Sequence, residues 1–526
     1  MVNSQWSMLN EDVIYLIMPA RYGGINGIRK RLDYLADLGV TALWLTPVFK
    51  SMSYHGYNIT DYYDIDKRYG TLDDYKALVR EAHGHGLKII MDIVFNHCGI
   101  EHPWFSNPPE KDWFNNLPAK NPSMVNGQPP HTPPKGEITP PWEGTGEVQS
   151  SMVNGQPPHT PPKGEITPPW EGTGEVQWSI TNYRLTTVVD PYASEYDRRQ
   201  TVEGWFVRSM PDLNLKNPHL LDYFIKCTDW WIENTGIDGI RMDTFPYSDM
   251  DAMATWLQEI HSRHPDINVI GETWVCDTPF SASMQQSGLD IPMDFALFQA
   301  FGYAKHEETH EVWSGMNRIY NTLCYDYLYK NPAMVMAFLD NHDVNRYIED
   351  IYPYSPNAPL MVKTLKEALA ILLTLPRIPQ IYYGTEVLMG GVTDKSDSRV
   401  RKHFPKRCLT SEGRTPDEND MHRYLRRILR WRKENSRLIA YGSMKQFIPY
   451  RGIYVYERRL GEESCLVIAN GNNSSALFSP DRYAEVIGPH REGRDIISGR
   501  KVSLTKPFRM SARKVMIIQP LPHSSF

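Results

Sequence analysis

A chain of 526 residues exceeds the usual domain of about 100–200 residues, so two or three units are expected unless one large barrel takes most of the length. With 41% apolar and 22% charged residues it has the composition of an ordinary globular protein with a sizeable core, and disorder is not the default. A formal net charge of −6, a pI near 6.3 and no basic run leave no footprint for nucleic acid or an anionic membrane, so a neutral or polar ligand is expected.

The start, MVNSQWSMLNEDV, lacks the charged-then-apolar layout of a signal peptide, and no stretch approaches the roughly 18 apolar residues of a membrane span. Read as complete, the chain is expected in the cytoplasm. From there, eight apolar runs alternate with helical stretches: VIYLIMP, TALWLTPV, LKIIMDIVF, GIDGIRMDT, NVIGETW, MDFALFQAF, AMVMAFLDN and IPQIYYGTE. Between the first runs, Ile25, Ile28, Leu32, Leu35 and Leu38 keep one helical face. Leu72, Tyr75, Leu78, Val79 and Ala82 keep another behind a Thr71–Asp74 capping box, and Gly39 and Gly86 end the helices. Eight strand–helix units without a Gly-rich phosphate loop predict an α/β fold of the TIM (β/α)₈ barrel type rather than an open doubly wound sheet.

After the third run come about 140 residues of poor periodicity, too many for a βα loop and enough for an excursion domain on the barrel's catalytic face. Within it, residues 123–149 recur unchanged at 151–177, an identity that fits a recent duplication or a sequence-assembly artefact better than a structural repeat and carries no catalytic role. Beyond a helix around Met421–Trp431, the pieces GIYVYERR, SCLVIAN and KVMIIQP predict a C-terminal antiparallel β-sandwich. The expected domains are 1–97 with 206–437 (barrel), 98–205 (excursion) and 438–526 (β domain). The six cysteines are far apart with no CxxC pair, so they are expected to be buried thiols rather than a zinc site or disulfide framework. His83 with His85, and His261 with His264, sit at helix ends and do not read as metal ligands.

Chemistry in such a barrel gathers where strands end, which singles out Asp92, Asp243, Glu272, Asp340 and Asp343. One carboxylate there can equally cap the next helix. Arg241 and Asp243 are two apart, so strand alternation puts them on one face, where the guanidinium is expected to hold the Asp243 pKa down and keep a nucleophile ionised; a structural ion pair fits those two residues as well. Glu272, between VIG and Trp274, is expected to be raised and to act as an acid. Two carboxyls with separated pKa values are the machinery of glycosidic cleavage. Asp343 beside His342 adds a third carboxylate near a sugar, and His97 and Tyr57 a hydrogen bond and a stacking face; each alone also reads as an ordinary loop or core residue. Aromatics at 12% suit sugar stacking, and core packing too.

DIVFNH, GIDGIRMDTF, VIGETW and FLDNHD, in that order, resemble glycoside hydrolase family 13, the α-amylase family, and GVTALWLTP, YHGYN, MPDLN and YYGTE extend the match from about Val13 to about Gly390. The resemblance implies Asp243 as nucleophile, Glu272 as general acid/base and Asp343 as transition-state stabiliser, with Tyr57, His97, Arg241 and His342 binding the sugar. It implies a retaining hydrolase of α-1,4 links in starch-derived oligosaccharides, pullulan or cyclodextrins, the alternatives being a transglycosylase or isomerase, or a non-catalytic carbohydrate-binding relative. MPDLN with VVDPYAS and GWFV resembles the neopullulanase and cyclomaltodextrinase branch, especially in Bacteroidetes, and Thr244 resembles α-1,4-acting members. Such relatives usually enter the periplasm, where a clipped N-terminus would place this chain too. No cofactor is implied for the chemistry. Asn96 matches a calcium position, but Ala20 stands where relatives have Asp and the polar loop after it is missing, which speaks against calcium there; His403 likewise stands where relatives carry Asp. Oligomeric state is not readable from the sequence.

Overall fold

The computed structural model describes residues 9–115, 185–307, 314–351, 357–393 and 397–521; the duplicated segment lies outside them. Strands β1 (Ile14–Ile17) and β2 (Ala42–Leu45) precede an antiparallel hairpin, β3 (Phe49–Ser51) with β4 (Ile59–Ile65). Then follow β5 (Lys88–Ile93), β6 (Gly239–Met242), β7 (Asn268–Gly271), β8 (Ile291–Pro292), β9 (Met336–Phe338) and β10 (Ile378–Tyr382). All but the hairpin form one parallel sheet in the order β8-β7-β6-β5-β2-β1-β10-β9. Met293, just past β8, makes a parallel bridge to Met336, and the Asp294 N–H donates to the Met336 carbonyl at 2.8 Å, so the outer strands meet and the barrel is nearly closed. Every residue of β1, β2, β6, β7, β9 and β10 is buried, as expected where helices cover one face of a parallel sheet and packed side chains fill the other.

The sixth apolar run departs from expectation. Only Ile291–Pro292 before it is strand, and Phe295–Ala304 is a helix capped by Asp294, whose carboxylate accepts from the Leu297 N–H at 2.9 Å. Phe295, Leu297, Ala300, Phe301 and Ala304 are buried, and periodicity cannot separate such a helix from a buried strand. The Thr71–Asp74 box forms as read and starts the helix Leu72–Gly84. Ile25 to Leu38 is split into two short helices, Gly24–Arg29 and Leu32–Leu38, yet all five apolar side chains stay buried. Gly39 and Gly86 both take the left-handed conformation beyond their helices.

The C-terminal unit adds β11 (Ser443–Tyr450), β12 (Ile453–Leu460), β13 (Glu463–Asn470), β14 (Ala476–Phe478), β15 (Glu492–Asp495), β16 (Lys501–Ser503), β17 (Phe508–Met510) and β18 (Val515–Pro520). A six-stranded sheet, β11-β12-β13-β18-β15-β16, is accompanied by the pair β14-β17. Alternation divides β12 and β13 between two cores. Ile453, Val455, Leu466 and Ile468 join Phe478 and Met510 inside the β unit, whereas Tyr454, Tyr456, Cys465, Val467 and Ala469 join the barrel's core. Arg513 ties the two units: it donates to Glu367 Oε2 (3.1 Å) and to the carbonyls of Ala304 and Lys305. All six cysteines are free, but Cys324 is exposed and Cys276 half-buried, which corrects the expectation of six buried thiols. Among the described residues no helix is long and apolar enough to cross a membrane.

Candidate active site

Every acidic residue singled out at a strand end lies at the barrel's C-terminal rim, where β5, β6, β7 and β9 give way to loops. Asp340 is only a cap there: its Oδ2 accepts from the Tyr347 N–H at 2.9 Å. The others converge. Strand alternation turns Arg241 and Asp243 to the same side, and the fully buried Arg241 Nη1 donates to Asp243 Oδ1 (2.6 Å) and to Asp92 Oδ1 (3.0 Å). Its Nη2 lies 2.8 Å from Glu272 Oε1, so one guanidinium touches carboxylates from three adjacent strands. Trp44 backs it with a ring 5.0 Å from Cζ, and the Trp44 indole N–H donates to Asp92 Oδ2 at 3.0 Å. Directly after Asp243 the chain turns through Thr244 at φ 48°, a region a β-branched residue rarely enters, and the Thr244 N–H donates to Glu272 Oε2 at 3.0 Å.

Burial pushes both Asp243 and Glu272 up to about 7, with Arg241 pulling each the other way. This corrects the expectation that Arg241 would keep Asp243 low: loss of water outweighs one guanidinium shared among three anions. The two carboxyls repel, so near neutrality they hold one proton between them. Asp243 receives an aligned hydrogen bond from Arg241, whereas Nη2, 2.8 Å from Glu272 Oε1, lacks that alignment. A carboxyl whose pKa rises on folding loses stability as pH climbs from its unfolded value through its folded one. Glu272→Gln is therefore expected to be more stable than wild type at pH 8, by roughly 1–3 kcal/mol, and equal to it near pH 4. Urea titrations at the two pH values check this, and an equal or lower midpoint at pH 8 would refute it.

Asp343 behaves oppositely. Burial works to raise it, yet His342, Arg401 and Arg241 outweigh burial and hold the carboxyl well below the usual range. His342 Nε2 lies 3.0 Å from Asp343 Oδ2 and 2.7 Å from the Tyr57 hydroxyl, whose ring stacks parallel to the imidazole at 5.5 Å. The Tyr57 hydroxyl donates to Asp92 Oδ2 at 3.0 Å, which links this group to the Arg241 cluster. His97 stands apart from these contacts; burial pushes its pKa down to about 3, so it is neutral, and its Nε2 has no protein partner. Its ring meets Phe206 edge-on at 5.4 Å, and Phe206 in turn meets Tyr247 at 4.7 Å.

The structure thus joins Tyr57, Arg241, Asp243, Glu272, His342 and Asp343 in one network with His97 at its edge. Arg401 also belongs to it, and Phe206 and Tyr247 line the His97 side; sequence reasoning missed their placement. Arg401 lies 58 positions from Asp343 in a loop after β10, two residues before His403.

The family described as "Alpha amylase, catalytic domain" matches residues 6–149 and 194–454, which is most of the chain.

The chain belongs to the α-amylase family.

A cyclo-malto-dextrinase C-terminal domain matches residues 444–519, the β unit. Alpha-amylase 3 of Dictyoglomus thermophilum is 28% identical over 506 residues, covering 87% of this chain and 83% of the relative. A cyclomaltodextrinase of Thermoanaerobacter pseudethanolicus is 26% identical over 468 residues, and there the chain spans 65% of the relative's length. Among solved structures, α-amylase from Geobacillus thermoleovorans complexed with acarbose superposes with a TM-score of 0.74 at 25% identity, covering 99% of this chain and 100% of that one. Members of this α-amylase family are glycoside hydrolases whose chemistry needs no cofactor.

Asn96 is buried, and its carbonyl accepts from the Leu213 N–H at 2.8 Å. Its neighbour Asp212 is raised well above its usual value by burial, and its carboxylate accepts from the Asn115 amide at 2.7 Å. Among the described residues no group of three His, Cys, Asp or Glu side chains could hold a metal. A cavity of about 1350 Å³ lies at the barrel's other end, against the C-terminal unit. There Gln285 donates to three carbonyls, Asp290 pairs with His261 and Asp326 with Arg377, and none of the strand-end carboxylates lines it.

Proposed function

We propose that this member of the α-amylase family is a retaining hydrolase of α-1,4-glucosidic bonds in starch-derived oligosaccharides, pullulan or cyclodextrins. Asp243 is the nucleophile, Glu272 the general acid/base and Asp343 the stabiliser of the transition state; Tyr57, His97, Arg241 and His342 hold the sugar. The observation that carries this reading is the single guanidinium of Arg241 with Asp243 and Glu272 on its two η nitrogens. It holds two carboxyls from adjacent strands side by side, the arrangement a retaining enzyme with carboxyls about 5–5.5 Å apart uses.

Glu272 gives its proton to the glycosidic oxygen as Asp243 attacks the anomeric carbon and the bond to the leaving sugar breaks. The departing sugar leaves a glycosyl ester on Asp243. Glu272, now a carboxylate, takes a proton from water, the water oxygen attacks the anomeric carbon, and Asp243 is released with net retention. Asp343, ionised at all working pH values, faces the positive charge that builds on the ring. Tyr57 gives the sugar an apolar face held in place by His342.

The relatives named above come from Dictyoglomus, Thermoanaerobacter and Geobacillus; the narrower placement beside neopullulanases of Bacteroidetes rests on MPDLN, VVDPYAS and GWFV. Transglycosylation is the alternative outcome at the same carboxylates, reached when a second sugar instead of water attacks the glycosyl ester. Incubation with maltoheptaose, pullulan and β-cyclodextrin, followed by chromatography, tests the proposal. Release of maltose or panose with the α anomer first is expected. Longer oligosaccharides than the substrate would instead mark a transferase, and binding without cleavage a carbohydrate-binding protein.

A further inference from the structure

Arg401 is nearly fully buried in the loop after β10, and each part of its guanidinium is used. Nε donates to the His342 carbonyl (2.7 Å), Nη2 to Asp343 Oδ1 (2.7 Å), and Nη1 to the Tyr54 hydroxyl (3.1 Å). Nη2 also lies 3.2 Å from Asp397 Oδ2, one helical turn earlier in the chain. One planar group thus fixes both the backbone before Asp343 and the Asp343 side chain, a two-point grip that an ammonium cannot reproduce. Asp343 Oδ1 takes Arg401 and Oδ2 takes His342, so the carboxylate plane is set by two cation-capable donors from different loops. Tyr54, on the loop between β3 and β4, anchors the far end, and its ring lies 5.8 Å from the Arg401 Cζ.

We propose that Arg401 is a positioning residue for the reaction: through its grip on Asp343 and on the His342 carbonyl it presents the third carboxylate to the sugar in the transition state. This rests on the hydrolase reading above. A carboxylate that must meet charge appearing only in the transition state gains from being fixed beforehand, so losing the grip should lower kcat and leave substrate binding largely intact.

The test uses the full chain with maltoheptaose. Arg401→Ala is expected to lower kcat by roughly 100-fold, the scale of losing one preorganised electrostatic contact, with KM changed by less than about threefold. Arg401→Lys should recover part of the loss, and millimolar guanidinium chloride should raise the rate of the Ala variant while leaving wild type unaffected. A merely structural arginine would show none of that rescue in kcat. The proposal is overturned if Arg401→Ala, folded as judged by its thermal midpoint, keeps kcat within threefold, loses only KM, or is not rescued. Should Arg401→Ala not fold, Tyr54→Phe removes one anchor at a partly exposed position and should lower kcat several-fold; an unchanged kcat there overturns the proposal. If wild type itself cleaves no α-glucan, the failure belongs to the hydrolase reading; if wild type cleaves and Arg401→Ala matches it, only the positioning role fails.

Discussion

Asp243→Asn is expected to lower kcat on maltoheptaose on the order of 10⁵-fold, the scale on which losing a covalent nucleophile acts. The substitution keeps the size of the side chain and an oxygen for the Arg241 hydrogen bond, which is 2.6 Å long in the wild type, so the fold and the sugar-binding contacts should survive. Calorimetric binding of maltoheptaose by the Asn variant would establish that only chemistry was lost. Asp243→Ala opens room beside the anomeric carbon, and added azide is expected to give a glycosyl azide of inverted configuration from an activated α-glucoside. Failure of both variants to lose activity would remove Asp243 from the mechanism, and with it the retaining reading.

Arg241→Met is expected to destabilise the protein by about 3–5 kcal/mol at pH 8 and to abolish measurable activity, because it strands Asp92, Asp243 and Glu272 in the interior without their shared cation. The sign with pH follows from the carboxyls. Burial raises Asp92 to about 6, and Asp243 and Glu272 to about 7, even with Arg241 present. Without it they rise further, so the folded variant binds protons that the unfolded chain has released, and its stability falls as pH climbs from about 4 through neutrality. Urea midpoints should therefore lie well below wild type at pH 8 and approach it near pH 4. Equal deficits at both pH values would mean that lost packing under Trp44, rather than stranded charge, sets the cost. Arg241→Lys should recover only part of the loss, since one compact ammonium cannot span three carboxylates.

The strand-end carboxylates were legible because barrel geometry and alternation both act on short sequence separations. Arg241 and Asp243 share a face by being two apart, and β6 realises that spacing as a hydrogen bond. The capping box at Thr71 and the segregation of β12 into barrel-facing Tyr454 and Tyr456 against inward Ile453 and Val455 follow from the same local rules. Where local rules tie, the reading failed: the apolar run after β8 fits a buried strand and a buried helix alike, and Asp294 as cap decides for the helix.

The sequence by itself therefore determined the parallel barrel, the C-terminal β unit, the family and the placing of carboxylates at strand ends, since each is written in residue order or in periods of a few positions. Only the tertiary structure decided the electrostatics. Whether Asp243 sits low or near 7 depends on how much water surrounds it and on how many anions share Arg241, and neither is a property of neighbours in the chain. The same holds for Arg401, which reaches Asp343 and Tyr54 from a loop that only barrel closure brings beside them, β10 pairing with β1 on one side and β9 on the other.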